Sequence, residues 1–177
     1  MGLSGKGPEV DSTGIHAALR GRFDTAVGEL APGPFEASIE VDASAIEAVC
    51  TFLRDEEGLE FDNLSNLSGA DYPDLERIQA VYSLFSYKQR HSITLRVNAD
   101  RTAPVIPTVE AVWPAANWLE REIFDLLGVE FSGHCDLRRI LLPEDWVGYP
   151  LRKDYEEQPD YHGISTVRES LLTMKRD

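Results

Sequence analysis

RIQAVYSLFSYKQRHSITLRVNA, residues 77–99, decides the fold. Its apolar residues alternate on both sides of a short polar link, with Ile93, Leu95 and Val97 marking the second arm. A period of two sends successive side chains to opposite faces of a strand, so each arm has one face to bury. The KQRH link (88–91) suits an antiparallel turn, so RIQAVYSLFSY (77–87) and HSITLRVNA (91–99) form a hairpin.

Upstream, LEFDNLSNLSGADYPD (59–74) reads as a third strand running into a turn at Asp71–Pro73. FEASIEVD (35–42) alternates as a strand, and Asp42 is placed to cap a helix whose buried stripe is Ile46, Val49, Cys50 and Leu53. HAALRGRF (16–23) reads as a short helix. Downstream, RTAPVIPTVE is a proline-punctuated loop, Pro114 falls in the first turn of a helix over 114–127, and Gly128 ends it. The order αβαβββα predicts an α+β fold: a mixed, largely antiparallel sheet with packed helices. Past Pro143 neither period persists, so the expected organisation is an α+β domain over 1–142 and an extended, partner-binding C-terminal arm over 143–177.

The chain has 177 residues and a formal net charge of −14. The charge is uneven: residues 1–80 carry sixteen acids and five bases, whereas residues 133–155 carry four of each. An acidic body argues against nucleic acid and anionic lipid as main partners, and the locally neutral stretch is the expected interface. No apolar run is long enough to span a membrane, and no export signal is visible at the start. Two cysteines, Cys50 and Cys135, form neither a disulfide framework nor a metal knuckle and fit a reducing cytosol.

WLEREIFDLLG (118–128) concentrates Glu120, Arg121, Glu122 and Asp125 on one short helix. Leu119, Ile123, Leu126 and Leu127 form its apolar stripe. Arg121 and Asp125 stand opposite that stripe, spaced as an i,i+4 pair. Glu120 and Glu122 diverge by about 160° and cannot converge on one metal or one scissile bond. That leaves a solvated helix face or a partner face. His134, Cys135 and Asp136 could each ligate a metal, but no second cluster completes a site. Arg138, Arg139, Arg152 and Lys153 could grip phosphate, yet no glycine-rich loop follows a strand. No nucleophile elbow or triad is present, so catalytic, cofactor-binding and metal residues are all expected to be none.

Read as one unit, NWLEREIFDLLGVEFSGHCDLRRILLPEDWVGYPLRKDY (117–155) closely resembles the C subunit of proton-pumping NADH:quinone oxidoreductase, respiratory complex I. The family pattern is an ERE-xx-D-xx-G-xx-F core, then H-P-x-L-x-R-I-L, then W-x-G-x-P-L-R-K-D-Y. Glu120, Arg121, Glu122, Asp125, Gly128 and Phe131 match the core, and His134, Leu137, Arg139, Ile140 and Leu141 match the middle. Trp146, Gly148, Pro150, Leu151, Arg152, Lys153, Asp154 and Tyr155 match the end. Cys135 stands where the family usually has proline, which restores an N–H and frees φ at that turn.

The resemblance implies a non-catalytic structural and assembly subunit of the hydrophilic arm, with FMN, iron–sulfur clusters and quinone held by the whole complex and none in this chain. It implies packing on the large D subunit at the quinone site and a peripheral place on the cytoplasmic side of the bacterial inner membrane, with membrane contact only through the complex. The expected partner interface is Glu120, Arg121, Glu122, Asp125, His134, Arg138, Arg139, Trp146, Arg152, Lys153, Asp154 and Tyr155. Arg139 and Arg152 are expected to pair with partner carboxylates. The alternatives are the equivalent subunit of a membrane-bound hydrogenase or ferredoxin-fed quinone oxidoreductase, and, in a different class, a small metal hydrolase using Glu120, Glu122 and His134.

Overall fold

A computed structural model describes residues 11–33 and 36–166. The hairpin is as the alternation requires. Strands β4 (Arg77–Phe85) and β5 (Ser92–Asp100) pair antiparallel from Arg77↔Asp100 to Phe85↔Ser92. Ile78, Ala80, Tyr82 and Leu84 lie on the buried face with Ile93, Leu95, Val97 and Ala99. Arg90, at φ 59°, makes the reversal, and the Ser86 N–H closes it on the His91 carbonyl.

Strand β3 (Asn63–Tyr72) adds antiparallel to β4, and β2 (Ser38–Val41) adds parallel to β5 on the far side. Strand β1 (Val27–Ala31) then pairs antiparallel with β2, giving the order β1-β2-β5-β4-β3. The sheet is mixed and largely antiparallel, as expected. Its other face is polar and carries a ladder in which Gln79 donates to Asn98 and Asn98 donates to Glu40. A sheet covered mainly on one face shows an alternation of this kind, although Gln79 is itself buried and Val81 and Phe85 lie on the more polar face.

Helix α1 (Ser12–Phe23) starts one turn before HAALRGRF because the Asp11 carboxylate accepts the Gly14 N–H at 2.8 Å. Helix α2 (Ile46–Asp55) buries Ile46, Val49, Cys50 and Leu53, the stripe read from the sequence. Asp42 does not cap it with its side chain; its carbonyl instead starts a 3-10 turn over Ala43–Ala45. Helix α3 (Ala116–Leu127) begins two residues after Pro114, which lies in the preceding turn. Gly128 ends α3 in the left-handed conformation, φ 74°, and its N–H bonds to the Phe124 carbonyl. Two short strands, β6 (Val105–Pro107) and β7 (Glu130–Ser132), pair in parallel beside α3, and β8 (Asp160–Tyr161) and β9 (Ile164–Ser165) form a small hairpin.

Residues 143–155 are not a free arm. The Leu151 N–H bonds to the Leu126 carbonyl, the Arg152 guanidinium to the Leu127 carbonyl, and the Lys153 N–H to the Asp71 carboxylate. The expected boundary at 142/143 therefore falls inside a segment that closes over the end of α3. The arm's last residues, 167–177, lie outside the described residues.

Helix α3 crosses the sheet at Gly69, where an added Cβ would sit 2.3 Å from Leu127 Cδ1 and 3.3 Å from Ile123 Cγ2. Glycine in a strand interior marks such a close approach. Gly69→Val should destabilise the chain by about 1–3 kcal/mol through overpacking, measured by chemical denaturation. An unchanged midpoint would mean that α3 is free to ride outward.

Candidate functional site

The acidic helix is not a solvated face: three of its four charged side chains are buried within the chain. Glu120 and Asp125 are 0 % exposed and Arg121 is 6 % exposed, whereas Glu122 is exposed. The expected Arg121–Asp125 pair does not form; both groups are held instead by the loop that follows the helix.

Asp125 is the centre. One carboxylate oxygen accepts the N–H groups of Ile140, Leu141 and Leu142 at 3.0, 2.7 and 2.9 Å. The other accepts from Arg139 at 2.7 Å. Burial alone would raise this carboxyl, but the Leu142 amide, the Arg139 guanidinium and the other two amides hold it below the usual carboxylate range. Arg139 also donates to the carbonyls of Asp125, Trp146 and Gly148. Arg121 reaches the carbonyls of Arg138 and Arg139 at 3.2 Å each and lies 5.0 Å from the Trp118 ring. Two clamps thus bind the 138–148 loop to α3.

A second anchor lies further along. Tyr149 packs on the Cβ-less Gly128, with Arg139 and Arg152 5.5 and 5.1 Å from its ring centre. Any side chain at residue 128 would meet that ring at 2.5 Å. Asp71 takes Arg101 in a bidentate pair at 2.7 and 2.9 Å, and Arg101 also holds Asp154 at 2.6 Å. The Arg101 guanidinium keeps the Asp71 carboxyl below its ordinary value. Arg139 and Arg152, expected to pair with partner carboxylates, are therefore engaged within the chain. His134 is half-buried and bonded to the Asn117 carbonyl, and Trp146 and Tyr155 are half-buried. Arg138, Lys153 and Asp154 remain exposed.

Glu120 points the other way. It accepts from the Val109 N–H at 2.8 Å and from the Thr108 hydroxyl. Burial pushes its carboxyl up to about 7; the Thr108 and Val109 bonds and nearby His134 offset part of that rise. Glu110, which the sequence does not single out, joins His134 and Cys135 to bring three possible metal ligands within 4.8 Å of one another. The hydrogen bonds argue against a metal there. The Asp136 N–H can only donate to Nδ1 of His134, and the Asn117 carbonyl can only accept from Nε2, so both ring nitrogens are committed. Glu110 accepts the Cys135 N–H and the Asn117 amide, and the Cys135 thiol donates to it as well. That bond raises the thiol's pKa, opposite to what a reactive thiolate needs. Only the folded loops reveal Glu110: it is 24 residues from His134 in sequence.

Glu110, His134 and Cys135 are brought together, but both ring nitrogens of His134 are committed and the Cys135 thiol is bonded to Glu110, which raises its pKa, so the three are not poised as acid, base and nucleophile. What the site presents is a rigid loop whose core is charged and whose rim is apolar. Leu141 and Val147 are 61 % and 64 % exposed, and Arg138 stands exposed beside them on the same loop.

Residues 39–161 match the family described as "Respiratory-chain NADH dehydrogenase, 30 Kd subunit". The chain belongs to that family. It is 41 % identical to the C subunit of the NADH-quinone oxidoreductase of Chloroherpeton thalassium over 84 % of its length, but spans only 62 % of that relative. It is 49 % identical to the C subunit of the Chlorobium phaeobacteroides enzyme over 66 % of this chain and 70 % of the relative. For the Moorella thermoacetica counterpart the figures are 47 %, 70 % and 82 %. Among solved structures, the trypsin-resistant fragment (1-134) of Nqo5 is 28 % identical, with a TM-score of 0.52 over 63 % of this chain and 88 % of that one. A chain of a membrane-bound sulfane sulfur reductase, an archaeal respiratory membrane complex, shares the fold at 23 % identity, with a TM-score of 0.67 over 80 % of this chain and 84 % of that one. The motif over residues 117–155 thus coincides with the buried clamp.

Replacing one member of a buried ion pair strands the other, at about 3–5 kcal/mol. Asp125→Ala should lower stability by that amount and release the 138–155 segment to proteolysis, whereas Glu122→Ala should stay within about 0.5 kcal/mol. Equal losses in the two variants would remove the clamp from its central place.

Glu120 sets a pH dependence of the opposite sign to Asp125. Its folded-state pKa, about 7, lies above the ordinary carboxyl value of 4.5, so the folded form holds its proton longer than the unfolded one. Its contribution therefore falls as pH rises from about 4.5 to 7 and is level above that, a loss of up to about 3 kcal/mol. The stability of wild type relative to Glu120→Gln should decline by that amount over this range and then stay level. A difference independent of pH would show that Glu120 is ionised without penalty.

Proposed function

We propose that this chain is a structural and assembly subunit of the hydrophilic arm of an NADH:quinone oxidoreductase. It would contribute no redox centre and no activity alone, while FMN, the iron–sulfur clusters and quinone belong to other subunits. Its partner in this reading is the large D subunit at the quinone site, on the cytoplasmic side of the membrane. Among the described residues no helix is long and apolar enough to cross a membrane, which fits attachment through partners.

The observation that carries this is the combination of family membership with the exposed rim of the clamped loop. Leu141, Val147 and Leu151 lie outside the core, yet their backbone is fixed by Asp125, Arg139 and the α3 carbonyls. An apolar surface held rigid loses little further entropy when it docks. Exposed cations on the same segment, Arg138 and Lys153, supply the charge that selects a partner. The buried Glu120, Arg121 and Asp125 support this surface from behind and do not touch the partner. Glu122, at the exposed face of α3, is kept in the proposed interface.

The likeness to the sulfane sulfur reductase chain favours one second reading: the same module serving a respiratory complex fed by a donor other than NADH. Co-purification of NADH-binding subunits from the native membrane separates the two.

The pair Arg138→Glu and Leu141→Asp tests the docking surface. Both side chains are exposed, and the Arg138–Asp136 pair is a surface contact of little energetic weight. The chain's own stability should change by less than about 0.5 kcal/mol. Co-expressed with the other hydrophilic-arm subunits, the double variant should yield at least about tenfold less assembled complex, with quinone reductase activity falling in parallel. Full assembly of the double variant would move the interface elsewhere.

A further inference from the structure

We propose that the outer edge of β3 is completed in the assembled complex by an extended strand of a partner subunit, which adds antiparallel or parallel to the sheet. This rests on the reading of the chain as a subunit of a respiratory complex.

The two edges of the sheet are treated differently. Strand β1 is five residues long, is interrupted by a register shift between Val27 and Leu30, and has its carbonyls engaged from α1. His16 bonds to the Gly28 carbonyl at 2.8 Å, and Arg20 to the Val27 carbonyl at 2.6 Å. Short length, a bulge and covering groups are how proteins blunt an edge. Strand β3 is ten residues long. Its one irregularity lies near its start, between Leu64 and Asn66. From Asn66 to Tyr72 it has no Lys, Arg or Pro, and its single charge, Asp71, is matched by Arg101.

The hydrogen-bond phase identifies which groups face outward. The Ser86 N–H bonds to the His91 carbonyl and the Arg101 N–H to the Glu76 carbonyl. Even-numbered residues of β4 therefore turn their backbone to β5 and odd-numbered ones to β3. The odd residues Gln79, Val81 and Ser83 pair with Ala70, Ser68 and Asn66. The N–H and C=O of Leu67, Gly69 and Asp71 consequently point away from the sheet. Among the described residues no backbone–backbone bond outside the β3–β4 ladder reaches this strand.

The space beside this edge fits a strand's side chains. A groove of about 380 Å³ is bordered by Gly69, Asp71, Tyr72, Leu127, Leu151 and Lys153. An added strand would send alternate side chains to the α3 side of the sheet, into this groove. The two leucines ask for an apolar residue. At the rim, Lys153 forms no ion pair among the described residues and asks for a carboxylate. The occupant is thus an extended partner segment with an apolar side chain turned toward Leu127 and Leu151 and an acidic residue near Lys153.

Residue-resolved amide exchange on the isolated chain and on the purified complex tests this. In the isolated chain the amides of Asn66, Ser68 and Ala70 should be protected and those of Leu67, Gly69 and Asp71 should exchange rapidly. In the complex the second set should slow by at least tenfold, and a map of the complex should place partner backbone within hydrogen-bond distance of those three residues. Protection already present in the dilute isolated chain, or appearing only as its concentration rises, would overturn the proposal in favour of the chain's own tail or a second copy. Protection in the complex by side chains alone, without partner backbone along the edge, would overturn it too. A chain that assembles into the complex with these amides still open refutes the strand alone, whereas a chain that joins no respiratory subunits removes the functional reading with it.

Discussion

The carboxylate of Asp125 is the constraint around which the rest is arranged. It lies in the last turn of α3 with no exposure, where the helix dipole is unfavourable to a negative charge. A buried anion in that place persists only if donors surround it. Three successive amides and one guanidinium do so, and all four come from residues 139–142. The ordering of α3 and of the loop after it are therefore one event. Neither can be removed without leaving a buried charge on the other.

This accounts for the charge pattern of the sequence. Residues 133–155 are balanced in acids and bases on a chain of net charge −14. The balance answers an internal need: Arg139 meets Asp125, and Arg152 meets the carbonyl end of α3. Arg101 then ties Asp71 to Asp154 and draws the end of the segment against β3. Tyr149 fills the space that Gly128 leaves. A stretch with no helical or strand period is thus given one conformation by side-chain-to-backbone bonds.

The legible parts of the fold are those with a clean period. The β4–β5 hairpin, the α2 stripe and the Gly128 stop follow from alternation, 3.6-residue spacing and left-handed preference, each a local property. Strand β1 escapes such a reading because VGELA has no sustained alternation, and β6 and β7 because three residues show no period. The acidic helix misleads for a different reason. A helical wheel with one apolar stripe assumes a single covering layer, but α3 is covered twice, by the sheet on Ile123 and Leu127 and by the 138–151 loop on Arg121 and Asp125. Polar residues facing a second layer look the same in sequence as polar residues facing water. Arg139 can be matched to Asp125 only by knowing that the chain turns back at Gly128 and Gly133.

What the folded chain can offer a neighbour depends on where its surfaces are polar and where they are not. The face of the sheet away from α3 carries the Glu40–Asn98–Gln79 ladder, whose polar side chains are bonded to one another. The exposed apolar side chains Leu141, Val147 and Leu151 lie on the irregular segment beyond the clamp, and Trp118 on α3 is exposed as well. On a mobile segment such side chains would be an aggregation hazard. Here the buried charges of α3 fix the backbone that carries them. The stability lost by burying Asp125 and Arg139, where apolar residues of similar volume would serve as well, is understandable if geometry and not stability is what the pair secures.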